Sequence, residues 1–108
     1  MVAGHFLVDF ALQTNRIAIY KNRHADPSEI FGPNPPTVWP WILSSHAFQH
    51  GAVVFLVTHS LTLGLCETVA HFVTDFGKCE HWYGYHADQC IHLGTKVLWV
   101  VLLVKGLA

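Results

Sequence analysis

The sequence predicts an all-α fold, a four-helix transmembrane bundle with a Pro-rich loop between helices one and two. Four apolar segments carry polar residues at steps of four, and none shows the period-two alternation of a half-buried strand. Residues 30–66 contain no Asp, Glu, Lys or Arg, so the second segment lacks the charged face that a helix of a soluble bundle turns toward water. Hydrophobic residues make up 52% of the chain and charged residues only 12%, which favours a membrane protein.

The predicted helices each carry polar side chains along one side, and together they form a single domain, residues 1–108. They span residues 2–20, 40–58, 61–77 and 87–105. Side chains four residues apart lie about 40° apart around a helix and so share a face. The polar positions with this spacing are His5, Asp9 and Gln13, then His46 and His50, then Glu67, His71 and Asp75, and finally Asp88, His92 and Lys96.

Proline defines the first loop. All five prolines fall within residues 27–40, and proline breaks helix interiors and restricts the residue before it. Residues 22–38 are therefore predicted to be the longest non-helical segment, with no helix across residues 33–36. Pro40 is compatible with the first turn of the second helix, where its missing N–H is tolerated.

Charge and cysteine content narrow the class of protein. With 6 basic and 7 acidic residues, the chain lacks the basic surface that binds nucleic acid, so no nucleic-acid partner is expected. The three cysteines form no C-x-x-C pair and are odd in number, which argues against a disulfide framework. The first basic residue is Arg16, and an apolar start without a preceding charge argues against a cleaved signal peptide.

Aromatic and basic residues predict how the bundle sits in a lipid bilayer, its expected partner. Interfacial aromatics flank the segments: Trp39, Trp41, Trp82, Tyr83 and Tyr85. Loops one and three share a side in an up-down bundle, and that side holds Lys21, Arg23 and Lys78, against Lys105 opposite. The positive-inside rule therefore predicts these loops in the cytoplasm and both termini outside. A homo-oligomer or a larger membrane assembly is compatible with the sequence.

A short motif, H-F-x-x-D-F, occurs twice, at residues 5–10 and 71–76. The other two helices carry related pairs, namely Asp88 with His92 on helix four and His46 with His50 on helix two. Residues at i and i+4 sit one above the other, which lets a helix present two ligands to one ion. An ionisable group in a lipid-embedded helix is costly unless it is paired or bound to an ion, so four such pairs favour a shared site.

The pairs predict a divalent metal site in the half of the bundle that faces loops one and three. The candidate ligands are His5, Asp9, His46, His71, Asp75, Asp88 and His92, with His50 at the inner edge. Mixed histidine and carboxylate ligation suits Zn²⁺, Fe²⁺ or Mn²⁺. Four of these residues are expected to converge on one ion at about 2.0–2.2 Å: Asp9, His71, Asp75 and His92.

Three functions are compatible with this pattern, and whether the protein is an enzyme stays open. A metal-dependent hydrolase would use the ion to lower the pKa of a bound water, with Glu67 or Asp75 as base. A structural or accessory membrane subunit would use the polar stripes as interhelical hydrogen-bond glue. A proton or ion path would use them as a relay. The chain has no H-E-x-x-H, and Glu67 precedes His71 by four residues instead of the three of a di-iron Glu-x-x-His motif.

Two lysines follow the repeated motif. Lys21 comes after the first copy and Lys78 directly after the second. They are interpreted as long side chains that snorkel toward the membrane interface, in preference to a pair of cations at the mouth of the bundle.

The motifs resemble a known family. GHFLVDFALQ followed by Lys21, the central helix with His46, then HFVTDFGK and DQCIH are similar to domain of unknown function 3307, a family of small bacterial and bacteriophage membrane proteins. The resemblance covers residues 5–92. It implies a multi-helix membrane protein of a bacterium or its virus, and it brings no activity with it. The expected location is the bacterial inner membrane, which the chain would cross several times. The insert at residues 32–36 is longer than is usual in that family.

Overall fold

The computed structural model describes residues 1–107 and confirms the all-α fold. No strand is present in these residues. The elements in chain order are α1 (Val2–Phe6), a π-helical segment (Leu7–Leu12), α2 (Asn15–Tyr20), α3 (Ser28–Phe31), α4 (Trp39–Thr58), α5 (Leu61–Cys79) and α6 (Tyr85–Val104).

Three long helices form the body of the molecule, close to their predicted positions. They contain 20, 19 and 20 residues in α4, α5 and α6, which corresponds to about 28–30 Å each. Pro40 lies in the first turn of α4, where no intrahelical hydrogen bond needs its N–H. Ser60 begins α5 by accepting a hydrogen bond from the backbone N–H of Leu63, an N-cap that satisfies one of the free donors at the helix start.

The first helix is interrupted, so the prediction of one continuous helix over residues 2–20 is wrong. The π-helical segment ends before Gln13, which is extended at φ −76° and ψ 111°, and the Thr14 side chain caps the start of α2. The Gln13 side chain donates to the Asp9 carbonyl oxygen at 3.3 Å and accepts from Lys21 Nζ at 2.7 Å. These polar contacts depend on the tertiary structure, so helical periodicity cannot register the break.

The Pro-rich loop contains one short helix. α3 forms a single turn within residues 22–38, which corrects the prediction that this stretch is wholly non-helical. Residues 33–36 are not helical, as predicted. Gly32 ends α3 with φ 81°, a conformation that glycine adopts without steric cost.

Loops one and three contact each other, which confirms that they lie at the same end of the bundle. Asn22 Nδ2 donates to the Cys79 carbonyl oxygen at 3.4 Å. The side chains of Arg23 and His24 both bind Glu80. Hydrogen bonds from Arg23 and then His24 lower the pKa of the Glu80 carboxyl to about 2.

Polar and apolar side chains are distributed in the reverse of the soluble pattern. Among the described residues, buried polar and charged side chains outnumber buried apolar ones. Large apolar side chains on the long helices point outward, with Leu56, Val69 and Val97 more than 60% exposed. Soluble monomers bury most such residues and rarely expose large contiguous apolar patches, so the body of this molecule has a polar interior and an apolar surface.

Within residues 1–107, one helix is long and apolar enough to cross a membrane. This helix is α6, and only 22% of its most apolar window is buried inside the protein. A core helix of a soluble protein would be mostly buried. Length and composition therefore support one membrane span, while the polar residues of α4 and α5 lower the hydropathy of those two helices.

Two glycines let α4 and α5 approach closely. A Cβ at Gly51 would lie 1.9 Å from Thr68 Oγ1 and 2.5 Å from the Gly64 carbonyl oxygen, so a larger residue requires the helices to move apart. The neighbouring side chains benefit from this approach, since the rings of His50 and His71 stack with centroids 3.6 Å apart. The helix crossing thus sets the distance between histidines of different helices.

Candidate metal centre

Four side chains from three elements meet in the interior of the bundle. Asp9 comes from the π-helical segment, His46 and His50 from successive turns of α4, and His71 from α5. Each offers one ligand atom, and the four atoms all lie within 4.8 Å of one another. Measured from Asp9 Oδ1, the three Nε2 atoms lie at 3.0 Å (His50), 3.3 Å (His46) and 3.8 Å (His71). These four residues are called the Asp9 set.

The spacing of the Asp9 set is suitable for a single ion. Ligand atoms about 2.0–2.2 Å from a tetrahedral ion lie about 3.3–3.6 Å from one another, and the distances from Asp9 Oδ1 span this range. All four residues are buried, so bulk water does not compete for their ligand atoms. A divalent ion therefore fits among these side chains with small adjustments of their rotamers.

Two of the histidines make no hydrogen bond with any described residue. Both ring nitrogens of His46 and both of His71 are buried and without a hydrogen-bond partner in residues 1–107. Buried polar atoms are nearly always satisfied, and each unmade bond costs about 1–3 kcal/mol. An ion bound through the Nε2 atoms would satisfy one nitrogen on each ring.

A second group of ligand atoms adjoins the first and shares a histidine with it. His71, Asp75 and His92, called the Asp75 set, also bring one atom each to within 4.8 Å of the others. His92 Nε2 lies 3.1 Å from Asp75 Oδ1 and 3.3 Å from Asp88 Oδ1. The other oxygen of Asp75, Oδ2, lies 3.5 Å from His71 Nε2 and 3.6 Å from His46 Nε2. One carboxylate thus contacts both sets.

Lysines distinguish the four buried carboxylates. Three of these carboxylates have a lysine partner: Asp75 with Lys21 at 2.6 Å, Asp88 with Lys78 at 3.4 Å and Glu67 with Lys96 at 2.5 Å. Asp9 has histidines and the Gln89 amide as polar neighbours, and no lysine or arginine nitrogen of the described chain lies within 4.0 Å of it. Asp9 is therefore the buried carboxylate whose charge no basic side chain matches.

Lys21 departs from the predicted snorkelling position. Its side chain is only 4% exposed, and its Nζ donates to Asp75 Oδ2 and to Gln13 Oε1. Lys78 is 25% exposed and lies nearer the surface. An ammonium group inside the bundle costs free energy unless a carboxylate faces it, and Asp75 provides that partner.

Glu67 lies behind His71 on the side away from Asp9. Its two oxygens accept hydrogen bonds from Lys96 Nζ and from Trp99 Nε1, the second at 2.6 Å. Glu67 Oε1 also lies 3.6 Å from His71 Nδ1. A carboxylate on the far nitrogen of a ligating histidine orients the ring and raises its basicity. Glu67 thus lies where a carboxylate can orient His71, while Lys96 and Trp99 hold its two oxygens in place.

His5 lies at the edge of the Asp9 set. Its Nε2 is 3.1 Å from Gln89 Oε1 and 3.6 Å from Asp9 Oδ2. The Gln89 amide donates to Asp9 Oδ2 at 3.0 Å and to Asp88 Oδ2 at 3.2 Å. Because Oδ2 of Asp9 is held in this way, Oδ1 faces the three histidines.

All seven predicted ligands are buried inside the bundle. The structure divides them between two neighbouring sets and does not gather Asp9, His71, Asp75 and His92 into a single group. His50 belongs to the Asp9 set, which corrects its predicted place at the inner edge of the site. Its spacing of four residues from the preceding histidine of α4 is the sequence signal for this role.

Comparison with known proteins adds no relative. No family model, no curated protein and no solved structure matches the chain. The resemblance to domain of unknown function 3307 therefore stays a prediction, and the site itself is the basis for inferring a function.

Proposed function

We propose that this protein is a helical membrane protein that binds one divalent metal ion through Asp9, His46, His50 and His71. The observation that carries the proposal is a buried carboxylate that faces three histidine nitrogens and has no lysine. A buried charge without a partner is costly. A cation at this position neutralises Asp9 and satisfies the nitrogens of His46 and His71 that make no hydrogen bond.

The charges of the interior also favour a cation beside Asp9. The structure holds four buried carboxylates, and three of them are paired with lysines, so only Asp9 is left without a basic side chain among the described residues. Charges removed from water interact strongly because the surrounding dielectric is low. A cation is therefore favoured beside Asp9, where the histidine ligands also converge.

The ligand set indicates the kind of ion. Three imidazoles and one carboxylate suit Zn²⁺, Fe²⁺ or Mn²⁺. Four protein ligands complete a tetrahedral shell, as in structural sites, whereas catalytic sites keep one position open for water or substrate. Glu67 and Asp75, the bases predicted for a hydrolase, both face lysines. The proposal is therefore metal binding that stabilises the bundle, without a hydrolytic step.

A lipid bilayer is the proposed environment. The outward apolar side chains of the long helices support this proposal, as do helix lengths of about 28–30 Å, close to the thickness of the hydrocarbon core. Polar groups in such helices are expected to face the bundle interior, which is their position here. We propose specifically that the chain crosses the bacterial inner membrane more than once and that it belongs to domain of unknown function 3307.

A second candidate is a structural subunit in which the same side chains act as hydrogen-bond glue. His50 Nε2 contacts Asp9 Oδ1 at 3.0 Å, and His92 Nε2 contacts Asp75 Oδ1 at 3.1 Å, each joining two elements. These bonds hold the bundle together without an ion. They leave both nitrogens of His46 and His71 without partners, and for this reason the metal centre is preferred.

Metal content tests the proposed function directly. Protein purified in detergent without a metal-affinity tag is expected to contain one equivalent of a transition metal by elemental analysis. Asp9→Asn keeps the shape of the side chain but removes its charge, so the metal content should fall to near zero. The matched control is His86→Ala, because His86 is exposed and belongs to neither set, and its metal content should equal that of the wild type.

Absence of metal in the wild type, with no uptake of added Zn²⁺, Mn²⁺ or Fe²⁺, would contradict the proposal. The structural subunit held together by hydrogen bonds would then be the remaining candidate. Equal metal content in the wild type and in Asp9→Asn would show that the ion binds elsewhere.

Membrane residence has its own test. The expressed protein should sediment with membranes and stay there after alkaline carbonate extraction, because its apolar outer surface is solvated by lipid. A monodisperse protein that remains in solution without detergent would overturn the membrane proposal and would leave the metal proposal standing.

A further inference from the structure

We propose that Asp75, Asp88 and His92 form a second divalent cation site, which Lys21 and Lys78 keep closed so that the protein holds a single ion. The inference rests on the proposed function, because the second site adjoins the Asp9 set and becomes meaningful only if an ion binds there.

His92 lies between the two carboxylates of the second site. His92 Nε2 lies 3.1 Å from Asp75 Oδ1 and 3.3 Å from Asp88 Oδ1. The side chains of Asp75 and His92 are each 1% exposed and that of Asp88 is fully buried. Each of the two distances from His92 matches that between neighbouring ligands of one ion, and Zn²⁺, Fe²⁺ and Mn²⁺ accept two carboxylates and one imidazole. An ion here would draw the two carboxylates together around His92.

An independent observation at Asp88 indicates a missing partner. Asp88 Oδ2 accepts hydrogen bonds from Lys78 and Gln89. Asp88 Oδ1 is buried and has no hydrogen-bond partner among residues 1–107, and it faces His92. Carboxylate oxygens inside proteins are normally satisfied, so this oxygen is available to a ligand beside His92.

Asp75 connects the second site to the first. Its Oδ1 faces His92, while its Oδ2 faces His46 and His71 at 3.6 and 3.5 Å. A carboxylate that offers one oxygen to each of two sites can bridge two ions, which in two-metal centres lie about 3.5–4 Å apart. The second site and the Asp9 set thus have the connection that a two-ion centre requires.

Lys21 and Lys78 explain why the second site stays closed. Lys21 Nζ lies 2.6 Å from Asp75 Oδ2 and is held by Gln13 Oε1 at 2.7 Å, while Lys78 Nζ lies 3.4 Å from Asp88 Oδ2. The two ammonium groups already neutralise the two carboxylates. A divalent ion added beside them would be repelled at short range in a poorly hydrated interior. Removal of the Lys21 charge leaves Asp75 in need of another cation.

Titration of cobalt into chelator-stripped, detergent-purified protein tests the proposal. Co²⁺ occupies the same histidine and carboxylate sites as zinc and reports its coordination by visible absorption. The wild type should saturate at one equivalent of Co²⁺, and Lys21→Met should saturate at two. The double variant Lys21→Met/His92→Ala should return to one. Lys105→Met, which removes an exposed lysine at the end of α6, should behave like the wild type.

Saturation of Lys21→Met at one equivalent would overturn the second site, as would two equivalents in the wild type. If Lys21→Met does not fold, Lys21→Gln removes the same charge and retains a hydrogen-bond donor for Asp75. Lys21→Gln should then saturate at two equivalents, and saturation at one overturns the proposal. Failure of the wild type to bind any Co²⁺ would instead overturn the proposed function on which this inference rests.

Discussion

Asp9 and Glu67 lie in the same polar interior, yet their surroundings differ in one respect. Both carboxylates are buried and both contact His71. Glu67 has its own cation, since Lys96 Nζ and Trp99 Nε1 occupy its two oxygens. Asp9 meets only histidines and an amide. The comparison shows two ways to keep a carboxylate inside a bundle, one with a cation supplied by the chain and one that needs a cation from outside.

The largest expected effect on stability comes from removal of Lys96, the cation that the chain itself supplies to Glu67. Lys96→Met should destabilise the protein by about 3–5 kcal/mol, because it leaves Glu67 charged, buried and without its lysine. The loss should be the same with and without metal if Lys96 serves Glu67 alone. Unfolding in detergent, followed by circular dichroism, measures it.

The double variant Glu67→Leu/Lys96→Met is the control for that experiment. Replacement of a whole buried ion pair by apolar residues is often close to neutral, so the double variant should regain most of the lost stability. A double variant as unstable as the single one would show that Glu67 matters mainly through His71.

The next largest effect is expected when the metal ion proposed to bind at Asp9 is removed. Chelation of the wild type should lower the free energy of unfolding by about 2.7 kcal/mol where the free ion had been present at 100 times its dissociation constant. Asp9→Asn should show no further loss on chelation, while Lys96→Met should still respond. Thermal melting with and without chelator, followed by readdition of Zn²⁺ or Mn²⁺, measures the difference. A wild type whose melting does not respond to chelator would favour the structural subunit held together by hydrogen bonds.

A smaller effect tests whether helix packing sets the spacing of the Asp9 set. Gly51→Ala should cost about 1–3 kcal/mol through overpacking, because its Cβ would lie 2.5 Å from a carbonyl oxygen of α5. The metal content should fall as α4 and α5 separate. Gly94→Ala is the matched control, because no atom lies within 4 Å of the added Cβ. The control should stabilise α6 by about 0.5–1 kcal/mol. Equal behaviour of the two variants would contradict the role of the α4–α5 crossing.

The smallest effect is expected at the partly exposed ion pair of Arg23 and Glu80 between loops one and three. Arg23→Gln should raise the pKa of Glu80 from about 2 toward its ordinary 4.5, as measured by carboxyl chemical shifts. A carboxyl with a lowered pKa in the folded state contributes stability above pH 4.5 and loses it as the pH falls through about 2. The acid-induced loss of stability should therefore shrink in Arg23→Gln, and Arg16→Gln, at an exposed arginine outside this contact, should leave it unchanged.

Local patterns were sufficient to predict the helices and the candidate ligands. The step of four between histidines and carboxylates, the run without charge at residues 30–66 and the prolines at 27–40 are all visible along the chain. They correctly indicated an all-α protein, three of the four predicted long helices and a set of buried histidines and carboxylates. These features follow from helix geometry, which depends on residues only a few positions apart.

Pairing between helices could not be predicted in the same way. The contacts of Lys21 with Asp75 and of Lys96 with Glu67 join residues 54 and 29 positions apart, and they depend on the rotation and axial offset of packed helices. The division of the ligands into two sets depends on the same variables. Spacing along one helix shows which side chains share a face of that helix. It does not show which face of a neighbouring helix they will contact.

The sequence by itself determined which side chains are available inside this protein, because burial of polar stripes follows from the periodicity of each helix. Only the tertiary structure decided that Asp9 would be the carboxylate without a lysine. That outcome depends on the π-helical segment and the break at Gln13, which direct Asp9 toward α4 and Lys21 toward Asp75. Both are consequences of side-chain packing across elements, where the energies of many distant contacts combine.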